Sequence, residues 1–252
     1  MRRLTTMGAT LAGVLAAAFS ANAAETLRPA IVDVRRIWDA APHNAFTDLL
    51  RHEGRWYCVF REGQKHVSPD GALRVLSSED GRKWKSLALL QREGDDLRDA
   101  KISVTPDGRL MLNGAAMRAN EEVRYRSLAW FSDDRGKTWS DGVQIGDPGF
   151  WLWRVQWHEG QAYSFGYLTD RDREKRFLRL YTSDNGRKFR THVAQVDGVR
   201  GVGEDKILFR DDGSALCLLR HETGTKGAYL GKSQPPYAEW QWTDLGVRVG
   251  GP

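Results

Sequence analysis

Glu204 and Arg220 lie on either side of Gly213, nine residues before it and seven after. Asp211-Asp212-Gly213 falls between two apolar runs, the signature of a tight β-hairpin turn. In such a hairpin the start of the first strand and the end of the second meet, so a carboxylate and a guanidinium are set side by side. The guanidinium there can hold an anionic or hydroxyl-rich ligand. The same count from Gly54, Gly108 and Gly160 picks out Ala45, Asp99 and Trp151 before the turns and Arg61, Ala115 and Tyr167 after them. Arg98, Arg154 and Glu62 adjoin these positions. Guanidinium groups, acids and aromatic rings converging on one end suit an anionic or polyhydroxylated ligand. The plainer reading is a rim of solvated charges on amphipathic stems.

The elements that hold these residues repeat. The four turn glycines are spaced 54, 52 and 53 residues apart. A second marker follows each hairpin: Ser77 to Trp84, Ser132-Asp133-Asp134-Arg135-Gly136-Lys137-Thr138-Trp139, Thr182 to Phe189, and Ser233 to Trp240, the last keeping only its ends. Its terminal aromatics are 55, 50 and 51 apart. Strand, Gly turn, strand, longer loop, strand, polar turn, strand, repeated every 50 or so residues, spells a blade of a β-propeller. Ile31 to Trp38, ahead of the first blade, reads as an outer strand. Each inner strand lines the central channel, with the positions above at its mouth.

The first three copies of the second marker resemble the Asp box, Ser/Thr-x-Asp-x-Gly-x-Thr-Trp. In the first copy Glu79 falls at the Asp place, and in the third Asp184. The box is structural: Ser and Asp side chains bond nearby backbone, Gly takes the left-handed conformation, and the aromatic packs between units. Together with Glu204 and Arg220, it makes the chain similar to the sialidase superfamily from about residue 44 to 252. The resemblance implies an all-β, sialidase-like β-propeller. Four of six four-stranded blades are present, so the chain is expected to be C-terminally truncated; a natural four-bladed ring is the less economical alternative. It implies that Glu204 polarises a Tyr nucleophile and that Arg220 is one of three arginines on the substrate carboxylate. The Tyr and a further Arg are expected beyond Pro252. The family's Phe-Arg-Ile-Pro is replaced by His43-Asn44-Ala45-Phe46, leaving Arg61, Arg98 or Arg154 to compensate. The loop from Glu62 to Leu73, where the acid/base residue is expected, offers His66 and Asp70. Asp99 and Tyr167 complete the expected substrate contacts. The implied activity is that of an exo-α-sialidase-like glycosidase, inactive as a fragment, acting on terminal acidic or related sugars of glycans. A neutral Tyr nucleophile suits such substrates, because a carboxylate would be repelled by the sugar's own. The alternative is a non-catalytic glycan-binding propeller.

Composition narrows the class. With 40% hydrophobic and 28% charged residues the chain is an ordinary globular one, not a disordered or collagen-like one. Residues 1–23 read as a cleavable signal peptide: Arg2-Arg3, an apolar run from Met7 to Phe19, and Ala21-Asn22-Ala23. That leaves 24–252 as the partial propeller domain, secreted or periplasmic, soluble without a membrane contact, and monomeric when complete. Removing two Arg and no acid lowers the formal charge from +5 to +3. With bases scattered among acids, this does not indicate nucleic acid. Cys58 and Cys217 sit in different blades and read as buried, unpaired thiols. No Cys-x-x-Cys or His-x-x-x-His pattern marks a metal site, and no cofactor is expected.

Overall fold

The computed structural model describes residues 30–224 and 227–249. The chain divides into Met1–Arg35 and Arg36–Pro252. The described part of the first, residues 30–35, has no regular secondary structure, and the expected signal peptide lies outside the described residues.

From His43 on, the chain forms four antiparallel sheets in sequence order. Blade 1 comprises β1 (His43–His52), β2 (Arg55–Gly63), β3 (Ala72–Ser78) and β4 (Lys85–Leu90). Blade 2 comprises β5 (Asp96–Val104), β6 (Leu110–Met117), β7 (Tyr125–Ser132) and β8 (Val143–Ile145). In blade 3 the inner strand is broken into β9 (Phe150–Leu152) and β10 (Gln156–His158), both paired with β11 (Gln161–Leu168), followed by β12 (Leu178–Ser183) and β13 (Arg190–Val193). Blade 4 comprises β14 (Val202–Phe209), β15 (Ala215–His221), β16 (Ala228–Ser233) and β17 (Gln241–Asp244). The strand expected over Ile31 to Trp38 is not formed. Ile37 and Trp38 instead pack on Cys58, Phe60 and Leu76, the face of blade 1 turned away from blade 2.

Alternation along each strand feeds two cores at once, because successive side chains point to opposite faces. On β6, Leu110 and Leu112 enter the core between blades 1 and 2, while Met111 enters the one between blades 2 and 3. Every residue of β6 is therefore buried. Phe165, Leu180, Ile207 and Cys217 build the third core, between blades 3 and 4. Both cysteines are buried and free.

The repeat uses two hairpin chemistries. In blades 1 and 3 the turn is two residues, Glu53-Gly54 (φ 46° and 75°) and Glu159-Gly160 (φ 48° and 80°), so both positions are left-handed, as a type I′ turn requires. In blades 2 and 4 the turns span 105–109 and 210–214. Gly108 N donates to Thr105 O and Gly213 N to Arg210 O, each at 2.9 Å.

In blades 1 to 3 the polar turns between third and fourth strands share one hydrogen-bond pattern, held in blades 1 and 3 by the residue one place after the expected one. In blade 2, Asp134 accepts from Ser132 Oγ and from the backbone N–H groups of Lys137 and Thr138. In blade 1 that part is taken by Asp80 with Ser78, not Glu79. In blade 3 it is taken by Asn185 with Ser183, while Asp184 pairs with Arg190. Any short side-chain oxygen that reaches the two N–H groups serves, so type alone misplaced the register. The blade-4 turn keeps the ring contact: Trp240 Nε1 donates to Tyr237 O at 3.0 Å, as Trp139 does to Gly136 O at 3.1 Å.

Candidate functional site

Each inner strand is kinked near the mouth. Pairing slips between Ala45 and Asp48, between Arg98 and Lys101, and between Val202 and Asp205, which are β-bulges at matching places in blades 1, 2 and 4. Blade 3 breaks instead: Asn113 of β6 donates to the carbonyls of Leu152 and Trp153 and accepts from Val155 N, replacing sheet partners there. Bulges re-aim side chains. Here the kinks turn Asp48, Lys101, Arg154, Glu204 and Asp205 into one cleft of about 410 Å³, with Trp153, Lys206, Leu218 and Arg220 also in its wall.

Within the cleft the charges are ordered. Arg220 Nη1 donates to both Glu204 oxygens, at 2.8 and 2.7 Å. Arg154 clamps Asp48 with both terminal nitrogens, at 2.7 and 2.8 Å, tying blade 3 to blade 1. Asp48 also accepts from Ile102 N of blade 2 at 2.9 Å. Lys206 Nζ donates to Gln156 Oε1 at 3.0 Å.

Arg98, Asp99 and Tyr167 are buried and do not line the cleft; Asp99 sits on its bulge in the left-handed conformation (φ 52°). Burial pushes its carboxyl up to about 6, against the pull of Lys101 and Arg98. Tyr167 stacks on Trp151, with ring centroids 6.0 Å apart, and Trp151 stacks on Tyr125 at 5.2 Å. Burial, with Glu204 and Asp99 nearby, drives the Tyr167 phenol well above its ordinary range, so it stays protonated. Arg98 lies over the Phe46 ring and bonds Asp96 at 3.3 Å.

Three further expected residues also lie outside the cleft wall. Arg61 is fully buried, its guanidinium bound to Asp96 Oδ1 (2.9 and 2.7 Å) and to Lys65 O and Ser68, so it ties blade 1 to blade 2 and does not face the cleft. Gly71 makes this possible: a Cβ there would lie 1.8 Å from Asp96 Oδ1. His66 and Asp70 are exposed on the β2–β3 loop. His66 packs edge-on against Phe46 and His43. Asp70 caps the loop by accepting from Gln64 N, and the Ser68 hydroxyl holds its carboxyl below the usual range, the reverse of what a proton donor needs. Sequence reasoning missed Asp48, Lys101, Trp153, Asp205 and Lys206. A signal was present: residues 48, 101 and 154 are charged and stand 53 apart, the period of the turns.

A larger groove, about 720 Å³, lies along the turns of blade 4, but Asp212 in its wall is committed to Ser214. Among the described residues no group of three or more potential metal ligands occurs. No described helix is long and apolar enough to cross a membrane.

Kinked inner strands facing a common channel define a sialidase-like β-propeller, and solved structures share this fold. No protein-family model matches the chain, and no curated protein does. A Dyadobacter fermentans protein of unknown function superposes with a TM-score of 0.71 at 16% identity, covering 83% of this chain and 71% of that one. For the Penicillium chrysogenum α-L-arabinanase complexed with arabinobiose the TM-score is 0.65 at 13% identity, with 81% and 67% covered. A Hadza microbial sialidase gives 0.65 at 16% identity, with 83% of this chain but 48% of that one covered. The chain thus spans about half the length of that sialidase.

Proposed function

We propose that the protein is an exported glycoside hydrolase acting on terminal acidic or related sugars of glycans. The observation that carries this reading is the Glu204–Arg220 pair, held at 2.7–2.8 Å in the wall of a channel-mouth cleft. The arabinanase and sialidase that share the fold support it. Glu204 takes the proton of the attacking hydroxyl. Arg220, sharing only Nη1 with Glu204, keeps Nη2 for the sugar. Asp99 keeps its proton up to about pH 6 and delivers it to the departing oxygen, the role that Asp70 and His66 are not placed to fill.

The test is fluorescence release from 4-methylumbelliferyl glycosides: an α-sialoside, a β-glucuronide and an α-L-arabinofuranoside. In the full-length gene product Glu204→Gln should lower kcat by roughly 10²–10⁴-fold with KM little changed. Equal turnover by wild type and variant would sink the proposal. A second reading, a glycan-binding propeller without turnover, is favoured by the closed pairing of both Glu204 oxygens with Arg220. It predicts binding of the same sugars with no release of fluorophore.

A further inference from the structure

Pairing resumes after the kinks at Asp48, Lys101 and Asp205, and Arg154 sits in the break of blade 3. Two acids and two bases, one from each blade, thus face the cleft. Asp48 and Arg154 satisfy one another. The other two do not pair. Both Asp205 carboxyl oxygens are buried without a hydrogen-bond partner, and burial drives this group toward its neutral acid form. Lys101 is only 3% exposed, with its ammonium 4.3 Å from the centroid of the Trp153 ring. It makes no hydrogen bond or ion pair with any described residue. The other cations of the cleft have protein partners: Arg154 is held by Asp48, Lys206 by Gln156, and Arg220 through Nη1 by Glu204, which leaves it only Nη2.

A buried ammonium is costly unless an anion meets it. The indole face offsets part of that cost, leaving an ammonium in the cleft lining without a protein acceptor among the described residues. We propose that Lys101, seated on Trp153, is the anchor for a ligand carboxylate, so that the cleft selects sugars bearing a single carboxylate over neutral ones. This inference rests on the reading of the cleft as a sugar site. The anion is a monoanion: Glu204 stands close enough to Lys101 to act on its charge, and repels a dianion such as phosphate more strongly than a single carboxylate. Burial, reinforced by Arg154, lowers the Lys101 pKa, so capture of the carboxylate weakens as pH rises and the ammonium loses its proton.

The experiment is calorimetric titration of the full-length protein with D-glucuronate, N-acetylneuraminate and D-glucose, followed in parallel by tryptophan fluorescence. Wild type should prefer at least one acidic sugar to glucose by roughly 10- to 100-fold, the size of a charge-assisted contact. Lys101→Met should abolish that preference, and Lys101→Arg should retain most of it. Should Lys101→Met fail to fold, protection of Lys101 from reductive methylation by the preferred acidic sugar takes its place. Absence of protection, equal binding of glucose, no binding of either acid, or an undiminished preference in folded Lys101→Met would each overturn the inference. Lys101-dependent binding without turnover of any glycoside would leave this inference standing and remove the hydrolase. Glu204-dependent turnover with Lys101-independent binding would do the reverse.

Discussion

Asp99 is a carboxyl whose proton affinity the fold has raised, with consequences for both stability and rate. Its folded pKa of about 6 lies above the ordinary 3.8. Its contribution to stability is therefore fully present below about pH 4 and lost as pH rises through about 6. Two pKa units correspond to about 3 kcal/mol. Asp99→Asn, which tolerates the same left-handed backbone, should equal wild type in denaturant melts near pH 4. It should exceed wild type by up to about 3 kcal/mol at pH 8. Activity should move the other way: the wild-type rate declines above about pH 6, and the variant loses that limb along with most of its rate. A variant whose melting tracked wild type at every pH would show that Asp99 is not desolvated. At the same scale, Asp48→Ala leaves the partly buried Arg154 without its carboxylate. The expected loss is about 1.5–3 kcal/mol, that of a hydrogen bond between charged groups, read by urea titration.

At the scale of elements, the kinks in the inner strands do the positioning, and the polar turns hold the blades in register. Asp134 accepts four hydrogen bonds in its turn, including one from Thr138 Oγ1 at 2.7 Å. Asp134→Ala should destabilise by about 1–2 kcal/mol without changing ligand affinity. Asn at the same place should recover most of the loss, as Asn185 does in blade 3. Gly71→Ala should cost more, about 3–5 kcal/mol, because the new methyl displaces Asp96 from Arg61; a thermal shift indistinguishable from wild type would refute that contact.

These elements also show what could be read without coordinates. Gly54, Gly108, Gly160 and Gly213 announced the hairpins because each needs a left-handed residue, and the rim position of Glu204 and Arg220 followed from counting along two strands. What a count along one hairpin does not contain is which way a kinked strand turns its side chains. Arg61 and Arg220 occupy like places, yet Asp96 from the next blade draws Arg61 into the wall. Lys101 and Asp48 escaped notice because their importance comes from three blades meeting, a non-local fact.

At the scale of the molecule, three cores join four blades, and none is shared by all. Leu112→Ala, between blades 1 and 2, and Phe165→Ala, between blades 3 and 4, remove fully buried side chains from separate cores. Each should cost about 2–5 kcal/mol, and the double variant should show their sum to within about 0.5 kcal/mol. A large coupling would mean that the blades do not pack as independent neighbours.

In blades 2 to 4 the ring at the end of the polar turn seals the interface behind it. Trp139 of blade 2 packs into the core shared with blade 1, Phe189 of blade 3 into that shared with blade 2, and Trp240 of blade 4 into that shared with blade 3. A ribosome makes the chain in that same direction. The apolar face of each blade thus waits for a tryptophan or phenylalanine encoded one repeat later. At about 5–20 residues per second, a repeat of roughly 50 residues leaves that face open to water for several seconds. Vectorial assembly is the expected outcome, each newborn sheet closing its predecessor, so that the nascent chain carries one freshly exposed face at a time for a chaperone to guard.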